Sequence, residues 1–178
     1  MNWPTKKFKE IYLVGANHAV QWNRSLSATI DYMQYLETQI KKFNIGLVAE
    51  EFSEEALRKN KVGHTTSDEV SKKLLLKNSF LCDPDEKTRE KIGYPTQTQL
   101  RQRFGIKSAI EGTREYKARK EHEGTFWPVR EGYWLDQIKN FSQRMIFVCG
   151  SEHIKSFSSL LKQQGYTVSI LDKKFGLL

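Results

Sequence analysis

Ile11-Tyr12-Leu13-Val14-Gly15-Ala16-Asn17-His18 is an apolar run that ends in a glycine and, three residues later, a histidine. The pattern returns near the other end of the chain as Met145-Ile146-Phe147-Val148-Cys149-Gly150-Ser151-Glu152-His153. A third apolar run, Ile45-Gly46-Leu47-Val48-Ala49, stops at the acidic pair Glu50-Glu51. Continuous apolar runs of this length read as strands covered on both faces, as in a parallel sheet. Open sheets of that kind bind ligands beyond the carboxyl ends of their strands. With the three strands as parallel neighbours, His18, His153, Glu50 and Glu51 meet at one edge.

Between the first two strands, Ile30, Met33, Leu36, Ile40 and Phe43 recur at helical spacing over residues 26–43, and Asn44 closes the helix. This strand–helix–strand order predicts a right-handed crossover and parallel pairing. Ser53 suits the N-cap of a short helix that starts with Glu54 and Glu55. Thr66-Ser67-Asp68-Glu69 predicts a capping box opening a helix that runs to about Lys77. Cys82-Asp83-Pro84-Asp85 reads as a turn, with Asp83, Asp85 and Arg89 pairing among themselves. A helix through Leu100 and Phe104 stops at Gly105, Lys107-Ser108-Ala109-Ile110 reads as a short strand, and 113–123 as an exposed charged helix. A further helix over 129–142 turns Val129, Tyr133, Leu135, Ile138 and Phe141 toward the core. Strand 144–149, helix 153–164, a stop at Gly165 and strand 166–171 complete the chain. The expected fold class is therefore α/β: one domain over 1–178, with a mostly parallel sheet of about five strands flanked by helices and an irregular helical insertion over roughly 60–125.

The chain has 178 residues, of which 38% are hydrophobic and 12% aromatic, enough for a sizeable core. No run is long enough to span a bilayer. The segment Met1-Asn2-Trp3-Pro4-Thr5-Lys6-Lys7 lacks the apolar stretch of a secretory signal, so a cytoplasmic protein is expected. Cys82 and Cys149 have no metal-knuckle spacing. The net charge is +8, but acidic residues interrupt the basic ones, as in Glu115, Lys117, Arg119, Lys120, Glu121 and Glu123. With no RNA- or DNA-reading motif present, the charge points to an anionic small molecule, or simply to solubility, more than to nucleic acid, which it does not exclude.

His153 falls in the first turn of the helix that Ser151 is placed to cap. The helix dipole there disfavours an imidazolium, and neutral imidazole is the form needed by a metal ligand or a general base. Gly15 lets the backbone ahead of His18 turn tightly or approach a ligand. Glu50 and Glu51 alternate across a strand end, so at most one enters a given pocket. Arg130, with Glu131 beside it and Trp134 one turn on, suits a carboxylate, a phosphate or a developing oxyanion. Ser151 lacks the flanking glycines of a nucleophile elbow, and a buried Cys149 would be unreactive. The candidate site is thus His18, Glu50, Glu51, Arg130 and His153.

Taken together, the paired GxxH motifs, the Glu-Glu pair and an arginine ahead of the second GxxH resemble the TraB, ChaN, Tiki and erythromycin-esterase superfamily. Gly15 and His18 match the first motif, Glu50 and Glu51 the acidic pair, Gly150 and His153 the second motif, and Arg130 the arginine. The match covers the two ends of the chain and hardly the middle. It implies an α/β sandwich with its site between the two halves of the chain, in a group that includes metal-dependent proteases, histidine-dependent esterases and a haem- or iron-binding lipoprotein. Two hydrolytic versions stay open. In one, His18, Glu51 and His153 hold a divalent metal ion that activates water; in the other, a histidine–glutamate pair activates water while Arg130 stabilises the oxyanion. The alternatives are a binding protein that holds a metal, a nucleotide or another anionic metabolite in the same cleft, and an interaction domain whose histidines have no chemical task.

Overall fold

The computed structural model describes residues 9–76, 79–106 and 113–176. β1 (Glu10–Ala16), β2 (Leu47–Glu50), β3 (Phe80–Leu81), β4 (Met145–Gly150) and β5 (Thr167–Phe175) form one sheet in the order β3-β2-β4-β1-β5. Every strand pair is parallel. The α/β class follows from this sheet and the helices on its two faces. The strand order differs in one respect from the sequence expectation. β1 and β2 share the sheet but do not touch, because β4 lies between them and pairs with both. The last unit of the chain thereby delivers His153 to the centre of the edge, between the strands that lead to His18 and Glu51.

Alternation along the strands sorts the core into two layers. Ile11, Leu13, Leu47, Ala49, Met145, Phe147 and Cys149 pack against α7 (Trp127–Ile138) and α8 (Ile154–Gln163). Val14, Val48, Ile146 and Val148 pack on the opposite face against α1 (Ser27–Phe43) and α3 (Thr66–Lys73). β4 is buried along its whole length, which is why it reads as an uninterrupted apolar run. β5 is an edge strand and is largely exposed, and Lys173 and Lys174 lie on it. Charges of this kind blunt an open edge against further strand pairing. No helix among the described residues is long and apolar enough to cross a membrane.

The middle of the chain departs most from its sequence reading. α2 (Glu54–Lys59) is capped by Ser53 as expected, but α3 is capped by Thr65 rather than Thr66 and ends at Lys73. The chain then contributes β3, a two-residue edge strand too short to leave a periodic signal. The strand expected at 107–110 lies outside the described residues. α4 (Glu86–Ile92), α5 (Gln97–Arg103) and α6 (Thr113–Glu121) follow, and a π-helical turn at His122–Phe126 leads into α7. Pro128 sits in the first turn of α7, where its missing N–H is harmless, so the helix starts before Val129. Its buried stripe is Glu131, Trp134 and Ile138; Val129, Tyr133 and Leu135 are only half-buried. Tyr133, Leu135 and Phe141 pack against the same core as expected; what apolar periodicity left out is Glu131, a carboxylate on the buried face.

Gly15 shows why the first motif needs a glycine. A Cβ at this position would lie 2.3 Å from the Lys173 carbonyl oxygen and 2.8 Å from Ile154 Cγ1. Backbone cannot yield as a flexible side chain does, so Gly15→Ala is expected to cost about 1–3 kcal/mol by overpacking. Urea unfolding of the variant should show a lower midpoint at constant m-value, and an unchanged midpoint would contradict the packing argument.

Candidate active site

Beyond the carboxyl ends of β1, β2 and β4 opens a cleft of about 520 Å³, and His18, Glu51, Arg130 and His153 all line it. Pleating decides which glutamate takes part. Glu51 continues the face of Leu47 and Ala49 and enters the cleft, whereas Glu50 follows Val48 to the α1/α3 side. The structure thus brings four of the five expected side chains together and turns Glu50 away from them.

Glu51 is the hub. Its Oε2 accepts from the Gly150 backbone N–H at 2.6 Å. Its Oε1 lies 2.6 Å from Arg130 NH1, 3.7 Å from His18 Nε2 and 3.9 Å from His153 Nε2. Gly150, the glycine of the second motif, is required by this crowding: a Cβ there would stand 2.9 Å from His18 Nε2 and 3.4 Å from Glu51 Oε2. Burial alone would raise the Glu51 carboxyl. The Arg130 guanidinium, helped by the two imidazoles, outweighs burial and holds it below the ordinary value.

Arg130 is held from a second side. Its Nε donates to Asp83 Oδ1 at 2.7 Å, and Asp83 also accepts from Trp134 Nε1 at 3.1 Å and from Arg89 at 2.8 Å. Asp83 is likewise held down against burial, chiefly by Arg130. The turn that sequence reading treated as self-paired is therefore part of the site. Tyr94 lies beneath both cations, with its ring centre 5.5 Å from the Arg130 guanidinium and 5.6 Å from that of Arg89. Its hydroxyl lies 3.3 Å from His122 Nε2, at the π-helical turn.

The two motif histidines are held differently. Ser151 makes no capping hydrogen bond; Ser151–His153 form a short 3-10 turn ahead of α8. The His153 ring is wedged between Trp127 and Trp134, with centroids 4.3 and 4.9 Å away. Its Nδ1 donates to Glu131 Oε1 at 2.8 Å, so in the neutral ring Nε2 is an acceptor, 3.5 Å from Arg130 NH1. His18 starts a 3-10 turn (His18–Gln21) capped by the Asn17 side chain. Its side chain is 50% exposed, against 6% for His153. Its Nδ1 is 2.9 Å from Gln21 Oε1, and Gln21 Nε2 donates to Glu50 Oε2 at 3.2 Å. Glu50, fully buried, accepts at Oε1 from Thr65 Oγ1 (2.6 Å) and Ser79 Oγ (2.7 Å). Burial pushes its carboxyl up, against the pull of these hydrogen bonds.

Gln21, Asp83, Arg89 and Glu131 therefore join the expected site residues. Sequence offered a signal for Glu131, which neighbours Arg130, but none for Gln21. Among the described residues no group of three or more His, Cys, Asp or Glu side chains is placed to hold a metal ion. The set expected for one, His18, Glu51 and His153, has the Arg130 guanidinium at its centre, and a divalent cation there would meet a fixed like charge. These residues do not fit a metal. Cys82 and Cys149 are free and buried, and burial pushes both thiols up, so neither is a nucleophile. No protein-family model, curated protein or solved structure matches the chain.

Because the folded state lowers the Glu51 and Asp83 carboxyls, their ionisation stabilises it. That contribution is complete above the ordinary carboxyl range and is lost as pH falls through the lowered folded values. Arg130→Met leaves Glu51 in the interior without a guanidinium and Asp83 with Arg89 as its remaining cation, and should cost about 3–5 kcal/mol near neutral pH. The deficit should shrink in acid, where these carboxyls are protonated. Urea midpoints measured across pH check this, and a deficit independent of pH would contradict the assignment.

Proposed function

We propose that the chain is a metal-free hydrolase with His18 as its general base. The observation that carries this reading is the half-exposed His18 imidazole, whose Nε2 faces the cleft 3.7 Å from a buried carboxylate. In this mechanism Nε2 takes a proton from water as the water oxygen bonds to the carbonyl or phosphoryl centre of the substrate. Glu51 offsets the charge of the imidazolium that forms. His18 then returns the proton to the leaving oxygen as that bond breaks, which restores the neutral ring. Arg130, lining the same cleft, opposes the negative charge that develops on the substrate. Arg89 lines it too, but both guanidiniums are paired with Glu51 or Asp83, so the substrate expected is one that becomes anionic in reaction.

A second reading, an anion-binding protein without turnover, draws support from Arg130 and Arg89, which both line the cleft and would hold the anion with the N–H groups not engaged by Glu51 and Asp83. p-Nitrophenyl acetate, butyrate and phosphate separate the two readings. Release of nitrophenol from at least one is expected, unaffected by EDTA and reduced about 10²–10⁴-fold in His18→Ala, the usual contribution of a general base. Saturable binding without release would favour the second reading. Loss of activity in EDTA with recovery on adding zinc would reinstate the metal version.

A further inference from the structure

Gln21 and Glu50 lie beyond the cleft wall, and both are completely buried. Their hydrogen bonds run in one direction, starting at a helix cap. Thr65 Oγ1 accepts the Asp68 N–H as the N-cap of α3. A hydroxyl has a single proton, and with a lone pair engaged by the cap, Thr65 directs that proton to Glu50 Oε1 at 2.6 Å. Ser79 donates to the same oxygen at 2.7 Å. With Glu50 ionised, as in alkaline solution, its Oε2 faces Gln21, whose amide then turns its NH₂ toward the carboxylate. The reverse orientation would set two acceptor oxygens against each other in a dry interior, where an unpaired polar contact costs most. Gln21 Oε1 then faces His18 Nδ1 at 2.9 Å, a contact that requires Nδ1 to bear the proton.

We propose that Gln21 is a positioning residue that fixes the tautomer of His18, passing the polarity of the Glu50 carboxylate around the end of the sheet to Nδ1. The neutral imidazole then presents its lone pair at Nε2, on the cleft side beside Glu51. Free imidazole side chains favour the opposite form, with the proton on Nε2, and so does the Glu51 carboxylate 3.7 Å from that nitrogen, so the relay works against both. Glu50 thus serves the site from the far face of the sheet without entering the cleft.

The consequence for rate rests on the hydrolase reading, whereas the tautomer itself does not, and the test separates them. Long-range ¹H–¹⁵N correlation of the imidazole groups, recorded in alkaline solution with His18→Ala for assignment, distinguishes a protonated ring nitrogen from one with a free lone pair. The parent protein should show a protonated Nδ1 and an unprotonated Nε2 for His18. Glu50→Gln keeps the shape but puts an NH₂ toward Gln21. The Gln21 amide should turn over and donate to Nδ1, moving the His18 proton to Nε2. Gln21→Met removes the relay and should also shift the population toward the Nε2-protonated form. If nitrophenyl esters are turned over, both variants should lose kcat with little change in KM, by up to about 10⁴-fold, as when a catalytic histidine is held in the wrong tautomer. A parent spectrum with the His18 proton on Nε2 overturns the proposal without any variant. An unchanged tautomer in Glu50→Gln overturns the relay. Absence of esterase activity with the expected spectra refutes only the hydrolase reading.

Discussion

One buried guanidinium ties the fold to its cleft. Desolvating Arg130 is costly, and the cost is met by carboxylates from two separate segments: Glu51 at the end of β2 and Asp83 just after β3. Neither carboxylate could be buried there alone. The contact therefore requires α7 to dock with Arg130 over the sheet edge, and this orientation fixes the rest of the helix. Glu131 comes to lie beneath His153, and Trp134 packs in the core against Phe147 and Phe157. Asp83 binds a second arginine, Arg89, so two carboxylates and two guanidiniums share one network. Such a cluster adds little net field, but it sets positions rigidly, as a site needs when its groups must stay in register.

The adjacent glutamates show how little residue type says without its surroundings. Glu50 and Glu51 are chemically identical neighbours, both buried, and the sheet separates them. Glu51 meets a cation and two imidazoles, so its carboxyl is held low. Glu50 is surrounded by hydroxyls and an amide, all neutral, so burial prevails and its carboxyl is raised. One residue of strand pleat accounts for the difference.

Much of this was legible in the sequence, because the three apolar runs and their polar ends are local signals. The runs gave the parallel strands, and the residues just beyond them gave His18, Glu51 and His153. Gly15 was recognisable as a tight position and Gly150 only as part of the second motif; the atoms that crowd them, Lys173 O and His18 Nε2, come from distant segments. What sequence could not supply was adjacency. β4 inserts between β1 and β2, and no periodicity records strand order. Asp83 looked like an ordinary turn aspartate, since its partner Arg130 lies 47 residues away. Gln21 carried no pattern at all, because its value depends on a carboxylate that points out of the cleft. Glu131 was left off the buried face of α7 for a related reason: it is polar by type, but lies in the core by virtue of His153 and Ser156.

The two GxxH motifs look equivalent in sequence, yet their histidines are placed for different work. His153 is wedged between two indoles, anchored by Glu131, and has Arg130 NH1 facing its free nitrogen. A proton placed on that nitrogen would face a guanidinium, and water has little access to a ring only 6% exposed. His18 Nε2 lies 3.7 Å from the Glu51 carboxylate, and half of its side chain is exposed. A proton shuttle must reach water, and of the two motif histidines His18 is the one open to it. In the proposed reaction His18 therefore carries the proton, while His153 fills the wall behind Glu51 and keeps the Arg130 guanidinium in place.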